Sequence, residues 1–324
     1  MMNPLRLERA STFVLRTVVF AIAVSFFLRA LSEVSSRGLG LFMDPVSAAL
    51  ALIPALSAAF YLHFRRQLPF GKLLCVLALP VGLLYTGVGL LGMAAFADDY
   101  KVIGASAAIL LLPALYGGVL SAVGYLWSDG EFVPNDKHIS FVELCFLQVI
   151  FLFLTLLAID GSIGLGVLVD LRVPALFSSL FILAIYLAKD RDTPIATTIA
   201  DASLAGVLLC LVVCLIAWFG SAEILDRRAI TFGSFGMVFG TYAYISAFIL
   251  SFYTGGASSI DYAKKNWHLV EANTFFVFLL FVPQNVGEVL RGAESAIERQ
   301  VLEQKLEVLT QRLDALESVS LPDK

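Results

Sequence analysis

Long apolar runs separated by short polar connections are the dominant pattern along this chain. A helix needs roughly 20 apolar residues to cross the hydrocarbon core of a bilayer, which is about 30 Å thick. Nine segments reach or approach that length, namely residues 12–34, 46–64, 73–97, 103–127, 141–159, 165–188, 196–219, 230–253 and 268–287. None shows the alternation of a membrane β-barrel, and helix is the other structure that satisfies every backbone group in lipid. The pattern therefore predicts an all-α, polytopic membrane protein with about nine, between eight and ten, transmembrane helices.

The first and last of these segments are interrupted by polar residues. In the first, the apolar run lies between Arg16 and Arg29, so the helix either spans with both arginines at the interfaces or lies in the interface plane. The last contains Glu271 and Asn273 near its start and Pro283 near its end. It is either a span that lines a cavity or a re-entrant piece.

Composition agrees with a membrane location. The chain is 59% hydrophobic and 15% charged, whereas a soluble domain carries about 25% charged residues. This excludes an ordinary water-soluble globular enzyme and makes the lipid bilayer the expected partner. The net charge of −4 offers no broad basic surface, so nucleic acid is not expected as a partner.

The distribution of charge divides the chain into three parts. Residues 1–11 form a short N-terminal segment, and residues 12–287 form the multi-span domain. The tail, residues 288–324, carries 13 charges among its 37 positions and no aromatic residue. We therefore expect the tail to lie in water.

Leucines in the tail follow the heptad spacing of a coiled coil. The intervals are 4, 3, 4 and 3 residues, and the positions are Leu302, Leu306, Leu309, Leu313 and Leu316. This a/d pattern favours a parallel homo-oligomer, which membrane tethering would strengthen by raising the effective concentration. The alternatives are a tail that packs on loops of its own chain or one that lies on the membrane surface. The last is disfavoured because the tail is acidic and anionic lipid would repel it.

Ionisable residues inside the spans are the candidate functional residues, because a charge in lipid is costly unless it meets water or a partner. Asp201 follows Thr197 and Thr198 by one turn, so one helix face is small and polar. Such a face could hold a cation or relay protons, but a carboxyl hydrogen-bonded to a neighbouring helix is the favoured interpretation. Glu271 and Asn273, which open the last segment, could line a polar path with it. The polar residues that close this segment, Gln284, Asn285 and Glu288, are instead interpreted as the point where the chain emerges into water before the tail.

Prolines and glycines indicate where helices bend and approach each other. Each internal proline removes one donor and frees the carbonyl four residues earlier. The pairs are Pro54 with Leu50, Pro80 with Val76, and Pro113 with Ile109. Gly236 and Gly240 have the small-xxx-small spacing of close helix contacts, which we expect to form within one chain.

Motifs for catalysis or metal binding are not recognisable in the sequence, so no enzyme activity and no cofactor is expected. The three histidines are not spaced against one another or against a cysteine. The four cysteines, Cys75, Cys145, Cys210 and Cys214, all fall in predicted spans and are interpreted as buried apolar residues.

Lysine and arginine in the loops predict the orientation. With the N-terminus in the cytoplasm and nine spans, ten of these residues lie inside and five outside, as the positive-inside rule requires. This favours a cytoplasmic N-terminus in a bacterial inner membrane or an equivalent one. An odd number of spans then places the tail outside, whereas an acidic coiled coil is easier to expect in the cytoplasm, so the side of the tail stays open.

Two functions are compatible with these features. The favoured one is a non-enzymatic membrane protein that self-associates through its tail and acts as a signalling or assembly component, with the tail available to a protein partner. The alternative is a small-molecule or ion transporter whose polar path runs near Asp201 and Glu271.

Overall fold

The computed structural model describes residues 14–22, 24–26, 28–29, 43–66, 68–94, 100–126, 139–166, 171–190, 193–220, 227–254, 261–272 and 274. Helices dominate these ranges, which contain no strand. Seven helices are α1 (Pro45–Arg66), α2 (Phe70–Ala94), α3 (Tyr100–Leu126), α4 (Phe141–Ile163), α5 (Arg172–Asp190), α6 (Ile195–Gly220) and α7 (Arg227–Thr254). Two further segments are helical, one within Val14–Phe26 and one at residues 261–272.

Six of the helices, α1 to α4, α6 and α7, are long and apolar enough to cross a membrane. The predicted all-α class is therefore confirmed for the described residues, and the six helices have the length and composition that a membrane protein needs. The predicted span at 165–188 is replaced by a helix that begins only at Arg172, and its apolar part, Arg172–Ala188, is shorter than the other six. The first predicted span is represented by the short apolar helix Val14–Phe26, and most of 268–287 lies outside the described residues. The described residues thus establish six such helices and do not establish nine.

Helix starts follow from local sequence. Asp44 caps α1, because its Oδ2 accepts a hydrogen bond of 2.8 Å from the Ser47 amide, and Pro45 occupies the first helical position. Hydrogen bonds from Ser47 hold the pKa of Asp44 below its usual value. At α4, Ser140 and Glu143 form a reciprocal capping box. These local signals set where two of the spans begin.

Helices α2 and α7 form the centre of the bundle and are its most buried spans. Helix α2 contacts α1, α3, α4 and α7, whereas α7 also contacts α5 and α6. The outer helices carry many exposed large apolar side chains, among them Phe64, Phe153 and Ile182. An apolar outer surface around a packed centre is what lipid as solvent predicts.

Glycines let α2 and α3 approach until their backbones touch. A Cβ at Gly82 would collide with the Pro113 carbonyl, and a Cβ at Gly117 would collide with the Ala78 carbonyl. At the same interface the Ser121 hydroxyl donates a 2.7 Å hydrogen bond to the Cys75 carbonyl. The close contact between these two helices therefore requires residues without a side chain at these positions.

A second close contact joins α5, α6 and α7. The Phe177 ring lies against Gly206 of α6 and Gly240 of α7, where any Cβ would overlap it. Gly236 lies against Cys210 in the same way. The two glycines Gly236 and Gly240 thus pack helices within the chain, as predicted from their spacing.

Basic residues collect at one end of the bundle, where α1 ends and α2 begins. We call it the basic end and define it by Arg65, Arg66 and Lys72. Helix α3 ends there, because Lys72 Nζ lies 5.7 Å from the centre of the Tyr125 ring. Helices α4 and α7 also meet there, since the Ile139 amide donates a 2.8 Å hydrogen bond to the Phe252 carbonyl.

Candidate functional site

Asp201, the leading candidate from the sequence, is paired with a lysine. It lies six residues after the start of α6, about 9 Å along the helix axis. Its Oδ1 is 2.6 Å from Nζ of Lys265, in the helical segment 261–272. The Asp201 side chain is 58% exposed and that of Lys265 only 18%. The less exposed cation thus depends on the more exposed carboxylate for its partner.

The segment 261–272 presents one face to the bundle and one face outward. Its buried side chains recur every three or four residues, at Tyr262, Asn266, Leu269 and Ala272. The exposed side chains lie between them and include Lys264, Trp267, His268 and Glu271. This is the pattern of an amphipathic helix with its apolar stripe turned towards other helices.

Asn266 occupies the centre of the buried face and binds two helices at once. Its Nδ2 donates a 3.1 Å hydrogen bond to the Val76 carbonyl of α2. Its Oδ1 lies 2.8 Å from the Tyr244 hydroxyl of α7. That hydroxyl is also 2.9 Å from the Tyr262 carbonyl, and with a single hydrogen it donates to one of the two acceptors at a time.

The Val76 carbonyl is the one that Pro80 leaves without a helical donor. The sequence predicted this unpaired carbonyl but did not identify Asn266 as its partner. The signal that could have found it is the periodicity of Tyr262, Asn266 and Leu269, which marks Asn266 as buried. A buried amide next to a proline kink in another span is a natural pairing, because each supplies what the other lacks.

The two threonines before Asp201 do not join its ion pair. The Thr198 hydroxyl donates to the Pro194 carbonyl at 3.2 Å and lies 3.2 Å from the Thr193 hydroxyl. The Thr197 hydroxyl is buried and has no hydrogen-bond partner among the described residues. The polar face of α6 is therefore divided between local contacts and the contact with Lys265.

Glu271 lies apart from Asp201. Its Oε2 is 3.4 Å from Nδ1 of His268, and both side chains are mostly exposed. Glu271 comes six residues after Lys265, which turns the two side chains about 120° apart around the helix. Asn273 and the tail leucines Leu302, Leu306, Leu309, Leu313 and Leu316 lie outside the described residues.

A second ion cluster joins α1 to α4 at the basic end. Arg65 Nε is 3.0 Å from Oε1 of Glu143, and Arg66 contacts the other carboxylate oxygen. The same carboxylate accepts a 2.8 Å hydrogen bond from the Ser140 amide. Glu143 therefore lies in the first turn of α4 with its partners in place.

An open cleft of about 350 Å³ lies between α4, α5, α6 and α7. Its walls are almost entirely apolar, with Gln148, Tyr242 and Ser246 as the residues that carry polar side-chain groups. Ser246 Oγ donates to Gln148 Oε1 at 2.8 Å, and Gln148 Nε2 donates to the Ser246 carbonyl at 3.1 Å. The Tyr242 hydroxyl donates to the Gln148 carbonyl at 3.4 Å. A molecule in the cleft would therefore be held by apolar contacts rather than by hydrogen bonds.

Metal ligands are not clustered among the described residues, which contain no group of three or more His, Cys, Asp or Glu placed to hold an ion. The four cysteines are free thiols, three of them buried. The polar chemistry of the described part thus consists of helix-to-helix ion pairs and hydrogen bonds.

Comparison with known proteins adds no assignment. The chain matches no protein-family model, no curated protein and no solved structure. Its function is therefore inferred from the contacts described above.

Proposed function

We propose that the protein is a non-enzymatic, multi-pass membrane protein that serves as an anchor for a signalling or assembly complex. In this proposal the helical bundle sits in the bilayer and the tail self-associates through its leucine seam. The tail also recruits a protein partner.

The observation that carries the proposal is the pairing of Asp201 with Lys265 at 2.6 Å. A transport site needs a charge that can exchange its partner for the transported ion. An anchor needs the opposite, a charge whose partner belongs to the same chain. The bonds of Asn266 and Gln148 to other helices have the same character.

The membrane topology of the proposal has nine spans, with Val14–Phe26 as the first and 268–287 as the last. The basic end faces the cytoplasm of a bacterial inner membrane or an equivalent one, as the positive-inside rule favours. One hydrogen bond supports this orientation. Arg16 Nη1, near the start of the N-terminal helix, donates to the Leu126 carbonyl at 3.4 Å. Because Leu126 is the last residue of α3, the N-terminal helix starts at the basic end. The N-terminus is then cytoplasmic.

The tail is tested with a pair of charges in the leucine seam. Leu306→Asp with Leu313→Asp places carboxylates at two successive a positions and should convert the oligomer to a monomer. Gln304→Asp with Gln311→Asp is the matched control, because it adds the same charge at the same spacing on the outer face of the helix. Size-exclusion chromatography with light scattering of the full chain in detergent gives the oligomeric state.

If the seam variant keeps the oligomeric state of the wild type, the coiled-coil role is wrong. If both double variants dissociate the oligomer, added charge rather than the seam explains the effect. Loss of the oligomer in the seam variant alone supports the proposal.

A transporter is the second candidate, and the exposure of Asp201 favours it. Asp201 is 58% exposed and lies only about 9 Å from the start of α6, so a cation or proton from the water at that end of the helix is in reach. The two candidates differ in what they require of Lys265: an anchor needs it as a partner, and a transporter needs it to release Asp201.

Neutral variants separate these candidates. Asp201→Asn leaves Lys265 charged and mostly buried, and should lower the free energy of unfolding by about 1–2 kcal/mol after discounting for solvent exposure. Adding Lys265→Met should recover most of that loss. Thermal unfolding in detergent measures the stability, and a pH-sensitive dye in proteoliposomes measures proton flux.

The anchor requires that proton flux be indistinguishable from empty liposomes in the wild type and in both variants. A flux present in the wild type and lost in the stable double variant would instead establish transport through Asp201.

A further inference from the structure

The cleft between α4, α5, α6 and α7 has a floor of small residues on α7. Ser246 and Ala247 come three and four positions after Ala243 and therefore lie on the same face of the helix as Ala243. Phe239 lines the cleft at one end of this face and Leu250 at the other. The result is a groove that follows α7 and not a round chamber.

The groove opens between α4 and α5. Both helices pack against α7, yet they have no extensive contact with each other. Both helices carry large apolar side chains that are exposed: Phe153 of α4 is 62% exposed and Ile182 of α5 is 70% exposed. In a helix bundle that spans a bilayer, such a surface faces lipid.

The length and depth of the groove match one leaflet. From Phe239 to Leu250 the helix rises about 16 Å, and half of a hydrocarbon core of about 30 Å is about 15 Å. Leu250 lies in the last turns of α7 and Leu144 in the first turn of α4, both near the basic end. The groove therefore reaches from the edge of the leaflet on that side to about the middle of the membrane.

The chemistry of the groove fits a hydrocarbon chain. Its walls are almost entirely apolar, and an extended acyl chain can lie along them. Because Gln148 and Ser246 bond to each other, the groove also lacks free donors for a polar ligand.

We propose that this groove binds one acyl chain of a membrane lipid from the leaflet at the basic end. The chain lies along Ala243 and Ala247, and the lipid headgroup lies beyond Leu250 and Leu144. The site goes beyond the proposed anchoring role, since it makes a single lipid a part of the bundle between α4 and α5.

The test uses the full-length protein in nanodiscs of phosphatidylcholine that carries a diazirine near the end of one acyl chain. After irradiation, mass spectrometry of peptides locates the labelled residues. We expect several-fold more label on Ala243, Ala247 and the cleft side of Phe239 than on the outward residues Phe153 and Ile182, which meet only bulk lipid. Equal labelling at both sets of positions would overturn the proposal.

The second part of the test fills the groove with a larger side chain. Ala243→Phe should reduce cleft labelling to the level of the outward residues. Ala205→Phe is the matched control, because it adds the same ring at an exposed position on α6 and should leave cleft labelling unchanged. Cleft labelling that persists in Ala243→Phe overturns the proposal.

A measurement on the wild type alone covers the case in which Ala243→Phe does not fold. Native mass spectrometry of the detergent-purified chain, taken through successive delipidation steps, should show one phospholipid retained per chain after the other lipids are lost. Stepwise loss of all lipid without such a species overturns the proposal.

Discussion

Asn266 is the residue whose role depends most on its surroundings. A buried asparagine is costly unless its amide is satisfied, and here it bonds to the Val76 carbonyl and accepts from the Tyr244 hydroxyl. The carbonyl is available because Pro80 cannot donate to it. A substitution of Asn266 should therefore weaken the packing of its own segment against both α2 and α7.

Asn266→Ala should lower the free energy of unfolding by about 1–3 kcal/mol, because it leaves a buried carbonyl and a buried hydroxyl with fewer partners. The loss should shrink when Pro80→Ala is introduced as well, since the new amide at position 80 can bond to Val76. A thermal-unfolding double-mutant cycle in detergent measures this coupling. Lys264→Ala, at an exposed position of the same segment, is the control and should change little.

An equal loss from Asn266→Ala in both backgrounds would show that the bond to Val76 contributes nothing to stability.

The ion pair of Asp201 with Lys265 is the other residue-scale feature of this segment. Sequence reasoning anticipated a hydrogen-bonded carboxylate at Asp201 but had no means of choosing Lys265, which lies 64 positions away.

At the scale of elements, glycine positions decide which helices approach closely. Gly82 and Gly118 are both helical glycines at the contact of α2 with α3. A Cβ at Gly82 has no room against the Pro113 carbonyl, whereas a Cβ at Gly118 would meet only Leu79 Cδ1, at 3.9 Å. The same substitution should therefore have opposite effects at the two positions.

Gly82→Ala should destabilise the protein by about 1–3 kcal/mol, because the two backbones must separate. Gly118→Ala should be neutral or stabilise it by up to about 1 kcal/mol, since alanine loses less conformational entropy than glycine in a helix. Midpoints of thermal unfolding of both full-length variants in one detergent give the comparison. A loss of the same size in both variants would contradict the close contact.

Element boundaries were partly predictable. The starts of α1 and α4 follow from Asp44 with Pro45 and from Ser140 with Glu143, because caps act within four residues. Helix α5 differs from its predicted span: it begins at Arg172 and not at 165. Hydropathy counted Leu165, Gly166 and their neighbours as apolar but carries no information on whether that stretch continues the helix.

At the scale of the whole molecule, the positions of the helix ends determine on which side of the membrane the tail would leave. Helices α1, α3 and α7 end at the basic end, where α2 and α4 begin. The segment 261–272 follows the end of α7 along the chain. If the predicted segment 268–287 completes a ninth crossing, the tail leaves on the opposite side of the membrane.

Single cysteines test this topology. With the four native cysteines replaced, Lys264→Cys marks the basic end and Ser320→Cys marks the tail. Nine spans require that a membrane-impermeant maleimide, applied to right-side-out and inverted vesicles, labels the two positions from opposite sides. Labelling of both from the same side would mean that 268–287 does not cross.

The sequence by itself determined the helical class of this protein and indicated lipid as its solvent. A span of apolar residues is a local property, and lipid leaves the backbone little choice but helix. It also located the unpaired carbonyl of Val76 and the small faces at Gly236 and Gly240. Tertiary structure alone decided that Asn266 meets Val76, that Lys265 meets Asp201, and that a groove stays open between α4 and α5. These are contacts between distant parts of the chain, and periodicity tells which face of a helix is buried but not which helix will cover it.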